Sequence, residues 1–166
     1  MSEPGRPGEW VLLCYRVPRV PSTPRIAVWR TLKRLGVAQI GDGVVALPAD
    51  ARTREQLEWV AGDIEQAGGS ALLWTASPSS AVQERQVAAE MAAARAAEYS
   101  KVIADAAAAS EAGVGEEGRS AVAAVRRLRS ELRRIERRDF FPPPERERAR
   151  AVVAALAVSS GEEAPV

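Results

Sequence analysis

Arginine is the residue type through which this chain can do chemistry. Twenty-one arginines accompany only two lysines, Lys33 and Lys101, and histidine is absent. Without imidazole there is no histidine general acid or base, no Ser-His-Asp or Cys-His nucleophile and no histidine metal ligand. A single cysteine, Cys14, excludes an intrachain disulfide and a thiolate zinc site. What remains is guanidinium, carboxylate and hydroxyl chemistry. A guanidinium fork donates two parallel hydrogen bonds, which suits phosphate or a tetrahedral oxyanion.

The densest cluster runs from Arg119 to Arg138, where eight arginines (119, 126, 127, 129, 133, 134, 137 and 138) meet only Glu131 and Glu136. Such a helix face can contact nucleic-acid phosphates or bind a tetrahedral oxyanion, with Arg126, Arg127, Arg129, Arg133, Arg134, Arg137 and Arg138 as the candidate nucleic-acid residues. It reads equally as a solvated outer face with i,i+4 partners such as Arg127 and Glu131. A second cluster, Arg25, Arg30, Lys33 and Arg34, follows Arg16 and Arg19. Arg30, Lys33 and Arg34 join the candidate nucleic-acid surface. Arg16 and Arg25 form a candidate anion mouth beside the N-terminal amides of the helix that Arg25 opens. The plainer reading of these residues is the exposed side of an amphipathic helix. Arginine excess has a compositional source as well, since alanine is abundant throughout.

Other residues carry less. Cys14 stands among apolar neighbours, where a thiol is ordinarily a small buried hydrophobe. Glu55, Glu58, Asp63 and Glu65 fall on the solvent side of their helix and make a weak metal set. No cofactor is expected. The net charge is +1, so any nucleic-acid surface must come from segregated charge.

The elements that position these residues divide into two textures. All four tryptophans precede residue 75, and the later part is alanine, arginine and glutamate. Trp10 to Val17 is a strand ended by Pro18, Pro21 and Pro24. Thr23 is expected to cap a helix with Pro24 at its first position, and Ile26, Val28, Trp29, Leu32 and Leu35 form its apolar stripe up to Gly36. Val37 to Ile40 and Val44 to Leu47 flank Gly41-Asp42-Gly43 as a hairpin. Thr53 with Gln56 gives a capping-box pattern before Leu57, Val60, Ala61 and Ile64, and Gly68-Gly69 closes that helix. Ala71 to Thr75 is the last strand. The βαββαβ order makes the fold class α+β, with a ferredoxin-like antiparallel sheet whose two helices share one face. Trp29, Leu57 and Ile64 are expected inside.

An all-helical extension follows, a helical hairpin plus a third helix. Its first helix, Ser80 to about Ser110, carries Val87, Met91, Ala94, Tyr99, Val102 and Ala106 on one stripe. Its second carries the seam Ala121, Val125, Leu128, Leu132 and Ile135, with Ala112 to Gly118 as the connecting loop. The third runs from Glu145 to about Val158 with Ala149, Val152, Val153 and Leu156 inward. The domain reading is therefore a disordered N-terminus at 1–9, an α/β domain at 10–76, a helical extension at 77–158 and a disordered tail at 159–166. No apolar run has the length of a signal peptide or membrane span, so a cytoplasmic protein without membrane contact is expected.

Trp10-Val-Leu-Leu, Arg25-Ile-Ala-Val-Trp-Arg-Thr-Leu-Lys-Arg-Leu-Gly and Asp42-Gly-Val-Val-Ala-Leu-Pro together form a familiar pattern. It continues through Thr53-Arg-Glu-Gln-Leu-Glu-Trp, Gly69-Ser-Ala-Leu-Leu-Trp and Ile135-Glu-Arg-Arg-Asp-Phe-Phe-Pro. The chain resembles the N-terminal domain of the chromate-resistance protein family ChrB over about residues 10–158. That resemblance implies a bacterial, cytoplasmic, chromate-responsive transcription regulator. Longer family members continue into a C-terminal domain and no helix-turn-helix is read here, so a regulatory role is expected to draw on a partner or that further domain. The first part also resembles the ferredoxin-like module of the phenylacetate repressor PaaX and of small CRISPR adaptation nucleases. Those nucleases close strand one with Tyr-Asp where this chain has Tyr15-Arg16, and a guanidinium cannot hold Mg²⁺. The expectation is a non-enzymatic regulatory or sensory protein that binds DNA or a chromate- or sulfate-like oxyanion. The alternative is an interaction module that dimerises or docks a protein partner through its helical extension.

Overall fold

The computed structural model describes residues 8–112 and 118–161. The readings of 1–7 and 162–166 as disordered, and of 113–117 as loop, lie outside these residues. The element order is β1 (Trp10–Arg16), α1 (Ser22–Leu35), β2 (Ala38–Gly41), β3 (Val44–Pro48), α2 (Ala51–Gln66), β4 (Ser70–Ala76), α3 (Ala81–Ala112), α4 (Gly118–Glu136) and α5 (Glu145–Ser159). The four strands form one antiparallel sheet in the order β2-β3-β1-β4. This is the expected βαββαβ arrangement.

Strand periodicity sets the core. Val11 faces Leu47 and Leu13 faces Val45 across β1 and β3, and alternate residues of a strand share a face. All four are at most 1% exposed, and α2 adds Leu57 and Ile64 at 0%. Burying each such side chain contributes about 1.5–3 kcal/mol. From α1 come Val28 and Leu32. Trp29, expected inside from its stripe, is instead 55% exposed, and Ile26 is 45% exposed. The reason is angular: at about 100° per residue, Val28, Leu32 and Leu35 cluster within about 60°, while Ile26 and Trp29 centre roughly a third of a turn away. The apolar residues of α1 therefore make two stripes, of which one is buried.

The caps also differ from the sequence reading. Helix α1 starts at Ser22 behind Pro21, with no side-chain cap, so Thr23 is not its cap. Pro24 is tolerated within the first turn, where its missing N–H has no helical partner to lose. Gly36, at φ 73°, ends α1 by donating to Leu32 and Lys33 carbonyls. In α2 the capping box is Asp50 with Thr53 rather than Thr53 with Gln56. Thr53 N–H donates to Asp50 Oδ1 at 2.7 Å, and the Thr53 hydroxyl donates to the Pro48 carbonyl at 2.6 Å. Thr53 stands three residues after the cap Asp50 and is fully buried. The peptide bond Val20–Pro21 is cis.

The chain falls into two compact units that divide inside α3, between Met91 and Ala92. The second unit has its own core, with Tyr99, Val102 and Ala106 from α3, Val125, Leu128, Leu132 and Ile135 from α4, and Ala149, Val153, Leu156 and Ala157 from α5. The α4 seam is thus covered by the unit's own helices. Ala94, expected on the α3 stripe, is exposed, and Arg95 beside it is turned inward. At the two ends, the Glu9 carbonyl accepts from Ala49 N–H, and Ser160 N–H donates to the Leu156 carbonyl. No helix among the described residues is long and apolar enough to cross a membrane.

Candidate functional site

The end of β1 is where the sheet brings basic residues together. Arg16 pairs with Ser70 at the start of β4, and on the other side Tyr15 N–H donates to the Gly43 carbonyl at 2.7 Å. Two glycine turns therefore flank Tyr15 and Arg16. Gly43 has φ +70°, and a Cβ there would run into the Tyr15 carbonyl; a Cβ on Gly69 would run into the Arg16 carbonyl and Ile64. Glycine lets both turns approach the strand end.

Beside this strand end lies a cleft of about 1120 Å³, lined by Tyr15, Arg16 and Arg19, by Arg25, Ile26 and Trp29 of α1, by Gln39, Asp42 and Gly43 of the hairpin, and by Gly68, Gly69 and Ser70. Val17 and Pro18 complete it. Three guanidiniums thus face one carboxylate, Asp42. Arg16, Arg19 and Arg25 are all exposed, so their charges are hydrated and available. Burial raises the Tyr15 hydroxyl above its ordinary value, so it stays protonated and able to donate. The cleft follows the side of α1 through Arg25, Ile26 and Trp29, and Ser22, Thr23 and Pro24 of its first turn are not in the lining. Chemically, the arrangement offers forked cationic donors beside an indole face and an uncharged hydroxyl, which suits a small anion.

Sequence reasoning placed Arg16, Arg19 and Arg25 here but missed Trp29 and the glycines. The signal for Trp29 was its offset from the Val28–Leu32 stripe and Lys33 one turn on, whose ammonium lies 5.1 Å from the indole centroid. Arg34 donates to Thr31 at 2.9 Å. Arg30, Lys33 and Arg34 are exposed on α1 outside the cleft lining.

The α4 cluster separates into outward and inward residues. Arg126, Arg127, Arg133, Arg134 and Arg137 are exposed and Arg129 is half-buried. Arg127 lies 3.5 Å from Asp105, and Arg134 lies 3.1 Å from Glu131. Arg138 differs: its side chain is 14% exposed and pairs with Glu98 at 2.5 Å. It belongs to a charged network that sequence reasoning did not find, with Arg95, Glu98, Tyr99, Asp139 and Arg146. Arg95, 3.0 Å from Glu98, is 11% exposed. Burial pulls its pKa below the ordinary value, against the pull of Glu98, and neighbouring Arg138 lowers it further. The Tyr99 hydroxyl donates to Asp139 Oδ2 at 2.8 Å, and burial followed by that hydrogen bond pushes its pKa well up. Arg150 donates to Glu136 at 2.6 Å, which raises its pKa. Nothing in an alanine-rich helix announces an inward arginine.

Cys14 is half-buried, and Glu55, Glu58, Asp63 and Glu65 are exposed. Among the described residues no three acidic or cysteine side chains gather to hold a metal ion.

A ferredoxin-like sheet with an arginine-lined cleft at the end of its first strand, continued by a three-helix unit, defines an α+β protein whose most distinctive surface is cationic. The chain belongs to the family of the N-terminal domain of protein ChrB, whose model matches residues 25–162, a family linked to chromate resistance. Comparison with curated proteins and with solved structures finds no match.

Proposed function

We propose that the protein is a non-enzymatic regulatory or sensory component of chromate resistance and that it takes a tetrahedral oxyanion into the cleft at the end of β1. The observation that carries this reading is the shared lining of one cleft by Arg16, Arg19 and Arg25. One exposed guanidinium and a dianion attract weakly in water and are screened by salt, so several cations around one concavity are needed for useful affinity. Chromate and sulfate share that tetrahedral shape and charge. Trp29, on the cleft wall, supplies the optical signal. Titrating chromate and sulfate against tryptophan fluorescence is expected to give saturable binding at up to about millimolar concentration, equivalent to roughly 4 kcal/mol. Arg16→Ala and Arg25→Ala are each expected to weaken it by about tenfold. No binding of either anion, or unchanged binding in both variants, overturns the assignment.

A second reading, contact with nucleic acid, is favoured by the exposed arginines Arg126, Arg127, Arg133 and Arg134 of α4 and Arg137 just past its end. The two surfaces are compatible with one regulator, in which α4 meets phosphate and the cleft meets the signal. Docking a protein partner through the α4 seam has less support, because Val125, Leu128, Leu132 and Ile135 are already buried within their own unit.

A further inference from the structure

We propose that β4 is a self-pairing edge through which two copies of this chain join into a continuous eight-stranded sheet. Strand β4 has β1 on one side and stands at the margin of the sheet. Its sequence, Ser70-Ala-Leu-Leu-Trp-Thr-Ala76, contains no charge and no proline, the devices that ordinarily protect an exposed edge. Leu72 and Trp74 are 62% and 59% exposed. Large apolar side chains on an unprotected edge mark an interaction surface.

The backbone directions follow from one hydrogen bond. Tyr15 N–H points to the Gly43 carbonyl, toward the hairpin, so Leu12 and Cys14 point their backbone groups toward β4. Their partners Trp74 and Leu72 point back at β1. Ala71, Leu73 and Thr75 therefore turn N–H and C=O outward. A two-fold axis at Leu73 pairs Leu73 with its own copy and Ala71 with Thr75 of the other chain, satisfying these groups antiparallel. The same register sets each Leu72 opposite Trp74 of the other copy. Within each chain Trp74 already lies beside Leu12 and Leu72 beside Cys14, so the pairing joins these side chains into one apolar band.

Charge selects a second copy as the occupant. Arg54 of α2 donates to Thr75 Oγ1 at 2.9 Å, which places it at the far end of β4. The other end of α2 lies at the beginning of β4, where Gly69 N–H donates to the Ile64 carbonyl at 2.9 Å. Arg54 and Glu65 share one side of α2, since eleven residues bring a helix back to within about 20° of the same direction. The axis that brings Thr75 to Ala71 of the other copy brings Arg54 toward the other copy's Glu65, twice by symmetry, and both residues are exposed.

Sedimentation of the full chain between about 1 and 100 µM is expected to show a monomer–dimer equilibrium, the range for an interface near the small end of specific ones. Leu72→Lys with Trp74→Lys sets lysine opposite lysine and is expected to weaken the dimer by at least about a hundredfold. Arg54→Glu and Glu65→Arg are each expected to weaken it by about tenfold, and the double variant to recover most of the loss. A monomer throughout the range overturns the proposal. So does a dimer indifferent to the lysine pair, or charge reversals whose losses add without recovery.

Discussion

A buried tyrosine beside a buried carboxylate makes the second unit sensitive to alkali. Tyr99 is fully buried, and its hydroxyl donates to Asp139, whose side chain is also 0% exposed. Its pKa in the folded protein lies above the ordinary 10.0, so the folded state holds this proton more tightly than the unfolded state. The resulting stabilisation is fully present below the unfolded value and is lost as pH rises past it toward the folded value. Tyr99→Phe removes the donor and leaves a carboxylate oxygen without it, which is expected to cost about 2 kcal/mol at neutral pH. Urea unfolding at neutral pH and above pH 10 is the check: the wild-type protein loses stability across that interval, and the variant loses less. Arg138 shows the same lesson for charge, because a residue read as a phosphate contact is held by Glu98 inside the unit.

Elements position the cleft through the turns that join them. The hairpin between β2 and β3 reaches the end of β1 only because Gly43 adopts φ +70° and carries no Cβ against the Tyr15 carbonyl. Gly43→Ala meets both the left-handed penalty and that clash, and is expected to cost at least about 2 kcal/mol, read as a lowered urea midpoint. Anion affinity is expected to fall with it, since Gly43 and Asp42 line the cleft. Gly68, although at φ +78°, meets nothing within 4 Å of an added Cβ, so its substitution tests backbone strain without the clash. Helix α4 obeys a simpler rule: Leu128, 1% exposed, is expected to cost about 3 kcal/mol on replacement by alanine.

Across the whole molecule, a net charge of +1 conceals strong segregation. If α4 meets duplex DNA through Z of its exposed arginines, log affinity falls against log salt with a slope of about −0.9Z. Arg133→Ala with Arg134→Ala is expected to flatten that slope by up to about 2, while Arg138→Ala leaves it unchanged; fluorescence anisotropy at several salt concentrations measures it. The sequence by itself determined the βαββαβ order, the hairpin glycines and the α4 seam, whereas which face of the apolar strands β1 and β3 is buried was decided by the sheet. The first three features are local: a repeat of 3.6 residues, or a left-handed turn, is written in neighbouring positions. Tertiary structure decided which of two apolar stripes on α1 is covered and therefore that Trp29 walls a cleft rather than fills a core. It also decided that Arg95 and Arg138 turn inward; the α2 box of Asp50 with Thr53 in place of Thr53 with Gln56 is a register shift of three residues. The capping box is local, Asp50 and Thr53 standing three residues apart, but the covered stripe of α1 and the inward arginines depend on what another element brings within a few ångströms, and residue spacing along one helix carries no record of that approach.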